Sequence, residues 1–164
     1  MTAQALNMAI LTVSDTRTLA NDTSGQTLKS LATEDGHQVV VHELIKDDLF
    51  HIRAVVSDWI HRDDIQVVLV TGGTGFAERD VTPDAIEPLL VKIVPGFGEL
   101  FRHISCGEIG TSTVQSRAIA GLSNGTLIAA LPGSTGACKT AWNQILSEQL
   151  NSTHKPCNFV EMLR

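Results

Sequence analysis

Three short apolar runs, Met8 to Val13, Val39 to Ile45 and Val67 to Val70, are separated by two stretches in which apolar residues return every three or four positions. Short runs rich in β-branched residues predict strands, the first and third buried on both faces, and the intervening period predicts helices. The first helix reads as Ser24 to about Glu34, with Leu28, Leu31 and Ala32 on its apolar side. Asp22, Thr23 and Ser24 are its candidate caps and Gly36 its stop. The second carries Leu49, Ile52, Val55, Val56, Trp59 and Ile60, with either Asp47 or Asp48 as cap. A β-α-β-α-β order leaves few choices: the strands run parallel, helices cover both faces of the sheet, and ligands bind at the carboxyl ends of the strands.

Beyond Pro83 the pattern predicts a short helix over Pro83 to Ile86 and another from Gly96 to about Cys106. Ala118 to Leu122 and Thr126 to Leu131 flank Ser123-Asn124-Gly125, a hairpin signal that makes the sheet mixed. Pro132 to Gly136 then opens a final helix with Ala137, Trp142, Ile145, Leu146 and Leu150 on its stripe. With 164 residues and neither repeat nor linker, the expectation is one domain over 1–164. A formal charge of -6 argues against a nucleic-acid partner. No apolar run approaches the roughly 18 residues that span a bilayer, and no basic segment precedes the first, so no membrane association and a cytoplasmic location are expected. Cys106, Cys138 and Cys157, an odd number without a CxxC pair, read as free thiols.

The strongest chemical signal is Thr71-Gly72-Gly73-Thr74-Gly75 at the end of a buried strand, where glycines let backbone N–H groups approach an anion. Arg79-Asp80-Val81-Thr82-Pro83-Asp84 follows at once, and a cation with carboxylates beside such a cradle is the equipment of Mg-assisted phosphoryl or nucleotidyl transfer. The competing reading is that Asp80, Thr82 and Asp84 merely cap the next helix. Gly133 to Lys139 is no Walker A loop, because Cys138 stands where a glycine must precede the lysine. It still offers a second anion site at a helix start, or simply a strand-to-helix turn. Ser112, Ser116 and Arg117 suit a phosphate or a carbonyl-rich ring, although Arg117 serves equally as a salt-bridge partner. The six histidines form no HxxxH or HExxH pair and read mostly as surface residues.

Taken together, Leu69 to Gly75, Arg79 to Pro83, Pro95-Gly-Phe-Gly-Glu99, Ser116-Arg117 and Leu131-Pro-Gly133 resemble, in this order, the motifs of the molybdopterin-binding (MoaB/Mog) family, over nearly the whole chain. The resemblance implies a three-layer α/β/α sandwich and Mg-ATP-dependent transfer of AMP to molybdopterin, releasing pyrophosphate. It implies that Asp47 and Asp80 are the catalytic carboxylates, with Asp80 holding Mg2+ directly or through water. Ser14, Asp15, Gly72, Gly73, Thr74, Gly75, Arg79, Ser116, Arg117, Pro132, Gly133 and Ser134 would bind nucleotide or pterin. It further implies a homo-oligomer, trimer or preferably hexamer, and other enzymes of molybdenum cofactor synthesis as partners. Where adenylylating relatives often carry Asn-Pro after the late Pro-Gly, this chain has Ser134-Thr135-Gly136. A second reading is therefore a non-catalytic molybdopterin-binding or assembly protein. The molybdate-inserting enzyme is disfavoured, because those relatives carry additional domains.

Overall fold

A computed structural model describes residues 3–164. One six-stranded sheet organises them, in the order β2-β1-β3-β6-β5-β4, from β1 (Asn7–Val13), β2 (Gln38–Ile45), β3 (Val67–Thr71), β4 (Lys92–Ile93), β5 (Ile119–Ser123) and β6 (Thr126–Leu131). β2, β1, β3 and β6 pair in parallel, and β5 alone runs against its neighbours. The alternation of side chains along a strand divides the core in two. Met8 and Ile10 of β1, Val67 and Leu69 of β3, and Leu127, Ala129 and Leu131 of β6 enter one layer. Ala9, Leu11, Val13, Val68, Val70, Ile128 and Ala130 enter the other.

The helices take these two faces. α1 (Thr23–Glu34), α4 (Pro95–Ile109) and α5 (Thr135–Ala141) pack on the first through residues such as Leu28, Phe97, Phe101 and Cys138, whereas α2 (Leu49–His61) and α3 (Thr82–Ile86) cover the second through Ile52, Val56, Trp59, Ala85 and Ile86. This is the three-layer α/β/α sandwich with a mostly parallel, mixed sheet. The chain leaves β1 for α1 on one face and reaches β3, on the other side of β1 from β2, by way of α2 on the opposite face. The strand order thus reverses at β1, and open α/β sheets place their ligand crevice at such a switch point.

Asp48 settles the choice of cap for α2: its side chain accepts from the His51 N–H at 2.7 Å, which leaves Asp47 to the end of β2. The Asn-Gly signal is a hairpin turn with φ of 51° at Asn124 and 70° at Gly125. α4 runs past the expected Cys106 and stops where Gly110 takes φ 61°. The pattern did not predict β4, only two residues long, nor the π-helical turn at Trp142–Leu146 that extends α5. The reading of the histidines as mostly surface needs correction at two positions. His37 is buried, its Nδ1 accepting the Leu6 N–H, and His42 is half-buried on the Asp22 carboxylate at 2.9 Å. All three cysteines are free, Cys138 buried and the other two exposed. No helix among the described residues is long and apolar enough to cross a membrane.

Candidate active site

The loops leaving β1, β2, β3 and β6 surround a crevice of about 470 Å³. The sequence-predicted residues Ser14, Asp15, Asp47, Gly72, Gly73, Thr74, Gly75, Arg79, Asp80, Ser116, Pro132, Gly133 and Ser134 all line it. Main chain builds its floor. Gly72 donates its N–H to Leu131 O at 3.0 Å, and a Cβ on Gly72, whose φ is 105°, would lie 2.1 Å from Val13 O. Only glycine fits between the β1 and β6 loops. The carbonyls that follow are all turned to partners. Buried Thr82 donates its hydroxyl to Gly72 O and its N–H to Gly73 O, while Arg117 donates its N–H to Thr74 O and Nε to Gly75 O. The N–H groups of Gly73, Thr74 and Gly75 donate to no described residue. A loop with its carbonyls anchored and three consecutive N–H donors open has the electrostatics of an anion nest.

Two carboxylates stand over that nest. A Cβ on Gly73 would sit 2.8 Å from Asp47 Oδ1, and one on Gly75 would sit 2.8 Å from Asp80 Oδ2, so the side chains close on the glycines from either side. Asp80 does not cap α3, whose N-terminus has no side-chain cap; its Oδ2 accepts the Ala77 N–H at 2.9 Å. Partial burial pushes the Asp47 carboxyl above its ordinary range, the charges of Asp15 and Asp80 push it further, and Arg79 pulls it back. Asp15 Oδ1 also accepts the Asp47 N–H at 3.2 Å. Repulsion among carboxylates that Arg79 offsets only in part is what a divalent ion removes. Among the described residues no three His, Cys, Asp or Glu groups converge to hold an ion alone. The two carboxylates beside the nest are a donor set of the kind Mg2+ takes, one or two carboxylates with water and substrate phosphate in its remaining positions.

Arg117 takes a different place. Its guanidinium donates to Gly75 O, to Asp80 O and to the Asp84 carboxylate at 2.9 Å, and it lines a neighbouring hollow rather than the crevice. It straps both ends of the loop that carries Arg79 and Asp80, which realises the salt-bridge alternative. Ser134 lines the crevice and also caps α5, its Oγ accepting the Ala137 N–H. Sequence reasoning missed the wall facing the carboxylates. Phe101, Ser105 and Ile109 line the crevice from one side of α4, a four-residue spacing that was open to detection, and Gln115 and Arg17 complete the wall. Cys138, beneath this wall, is held by burial as a thiol with its pKa pushed up to about 11, its Sγ 3.3 Å from Thr71 Oγ1.

A crevice at the switch point of a mixed α/β sheet, with a main-chain nest beside paired carboxylates, is the candidate ligand site of an α/β/α binding domain. Residues 9–152 match the family described as "Probable molybdopterin binding domain". The chain is 55% identical over 152 residues to molybdenum cofactor biosynthesis protein B of Escherichia coli (strain K12), covering 93% of this chain and 89% of that protein. A crystal structure of a molybdenum cofactor biosynthesis protein B superposes with a TM-score of 0.87 at 44% identity, covering 90% of this chain and 92% of the other. The tungsten cofactor synthesizing protein MoaB from Pyrococcus furiosus superposes with a TM-score of 0.79 at 33% identity, covering 88% of this chain and 92% of that one. The chain belongs to the molybdopterin-binding domain family, and the relatives it matches are cofactor biosynthesis proteins.

Proposed function

We propose that the protein acts in molybdenum cofactor biosynthesis by binding molybdopterin and Mg-ATP in this crevice and transferring AMP to the pterin's terminal phosphate. The observation that carries the reading is the nest of Gly73, Thr74 and Gly75 N–H groups lying between Asp47 and Asp80, with Arg79 on the same rim. A phosphate oxygen of molybdopterin attacks the α-phosphorus of ATP, the bond from that phosphorus to the α,β-bridging oxygen breaks, and pyrophosphate leaves with the electron pair. Two anions must approach one another, so Arg79 and the three N–H donors offset their charge and hold them in line. Asp80, with Asp47 beside the same glycine loop, would hold Mg2+, whose contribution is to neutralise the triphosphate. No residue becomes covalently attached. The wall of Phe101, Ile109 and Ala137 with Ser105, Ser112 and Ser116 provides apolar surface and hydroxyls for the pterin ring.

The pure protein with molybdopterin, Mg2+ and ATP is expected to release pyrophosphate and form adenylyl-molybdopterin, and Asp80→Asn is expected to lose at least about 100-fold of that rate. Pterin retention without pyrophosphate release in the unmodified protein would instead establish the non-catalytic binding reading, which Ser134-Thr135-Gly136 favours. A homo-oligomer is part of the same proposal. Val91, Ile93, Leu100, Ile109 and Val114 are exposed on and around β4 and α4, and β4 leaves a sheet edge unpaired among the described residues. Light scattering that returns a monomer at micromolar concentration counts against it.

A further inference from the structure

Two cations, Arg79 and Arg17, line the crevice, and different elements hold them. Arg79 shares a rim with Asp47 and Asp80. Arg17 is held against the start of α1: its NH1 donates to Ser24 Oγ at 2.8 Å and lies 3.9 Å from Asp22 Oδ1, and Ser24 Oγ donates onward to Gly133 O at 2.7 Å. Both anchoring residues, Ser24 and Asp22, are fully buried. Asp22 is otherwise satisfied, accepting from Thr12 Oγ1 and the Gly25 N–H and bonded to His42 Nε2. The frame behind Arg17 is therefore a built one, stiffened by bonds that do not depend on the arginine.

Arg17 spends little of its own capacity there. A guanidinium has five N–H donors, and only one of them is hydrogen-bonded to a described residue; the side chain remains 33% exposed. An arginine serving only to tie the β1 loop to α1 would engage more of its fork, as Arg117 does with three acceptors. Arg17 also stands in the wall shared with a second hollow of about 550 Å³, where Lys46 and His51 lie with the carboxylates of Asp15 and Asp48. A planar fork held from behind and open in front matches a phosphate group bidentately, and its restraint lowers the ordering cost of binding.

We infer that Arg17 is a specificity-determining residue that grips a phosphate group of a substrate on the α1 rim, and that Ser24 and Asp22 are the residues that position it. The inference deepens the transfer reading and rests on it for which phosphate is held, because nucleotide and pterin both supply one. Titration calorimetry with inorganic pyrophosphate, Mg-ATP and molybdopterin, on the unmodified protein and on Arg17→Ala, Arg17→Lys and Ser24→Ala, tests it alongside thermal melts. Arg17→Ala is expected to weaken pyrophosphate about 10- to 100-fold with little change in melting, as loss of a charge-assisted contact does. Arg17→Lys is expected to recover part of that loss by retaining charge without the fork, and Ser24→Ala to show a smaller deficit. Whichever of Mg-ATP and molybdopterin weakens in parallel identifies the source of the phosphate. A variant that melts earlier yet binds all three probes as tightly per folded molecule marks a mere tie between loops and overturns the assignment. If pyrophosphate binds and responds to Arg17 while neither Mg-ATP nor molybdopterin binds, the phosphate grip stands and the transfer reading falls; an unmodified protein that binds none of the three ends both.

Discussion

The two rims of the crevice solve opposite problems. On the rim of Asp47, Asp80 and Arg79, burial first and then the charges of Asp15 and Asp80 raise the Asp47 carboxyl, and Arg79 offsets only part of this. On the rim of Arg17, Ser24 and Gly133, polar groups are bonded to one another before any ligand arrives. The difference teaches that stability and chemistry are assigned to different parts of one sheet end: on the proposed reading the first rim costs folding energy that a cation and phosphates would return, and the second serves as a rigid reference surface.

Asp47→Asn attacks the contrast most strongly. It is expected to cut AMP transfer by about 100-fold or more while raising the melting temperature of the metal-free protein at pH 7, since it removes a carboxylate held against its neighbours. Because the folded-state pKa lies above the unfolded one, the penalty in the parent protein is full above the folded value. It fades as pH falls through that value toward the ordinary 3.8, so the advantage of the variant should disappear in acid. Equal melting of the two proteins at neutral pH would show that the carboxylates do not strain this rim.

Gly72→Ala erases the contrast by damaging the floor common to both rims. With Val13 O 2.1 Å from the added Cβ and φ at 105°, a destabilisation of about 3 kcal/mol is expected in urea unfolding, and phosphate binding should fall on both sides together. A variant as stable as the parent would mean that the floor yields easily.

The smallest effect serves as a control at the opposite end of the sheet. Burial lowers the His37 pKa from its usual 6.5, against a smaller upward pull from Asp35. A depressed folded pKa gives stability that is intact above 6.5 and is lost as pH falls through that value to the folded one. The parent should therefore lose melting temperature between pH 7.5 and 5, and His37→Gln should lose less. Parallel profiles would assign the acid response elsewhere.

The fold was legible because its signals are periodic. β1, β3 and β6 alternate between two cores, and α1 and α2 carry continuous apolar stripes, so local pattern and tertiary role coincide. β4 was illegible because two exposed residues, Lys92 and Ile93, hold no pattern and owe their conformation to pairing with Gly121 and Leu122. The acidic rim and its glycines were readable from TGGTG and RDVTP, since backbone demands appear directly as residue types. Between the two readings left open for Arg117 the sequence could not choose, and Arg17 went unnoticed, for one reason: an arginine's role depends on what its long side chain reaches, and Ser24, Gly75 and Asp84 are distant or ambiguous in sequence. Asp22 read as a helix cap, which it is, but nothing local announced that it also backs a crevice wall.

The strap formed by Arg117 has a consequence for variation among such proteins. By fastening the loop at Gly75 and again at Asp80 and Asp84, it leaves Phe76 to Glu78 exposed between them, tied back only by the Ala77 main chain to Asp80 and by the Phe76 ring under the Arg117 guanidinium. An exchange of the exposed Glu78 side chain can alter what the entrance admits while the aspartate keeps its station, whereas an insertion at Ala77 would loosen the turn that holds it.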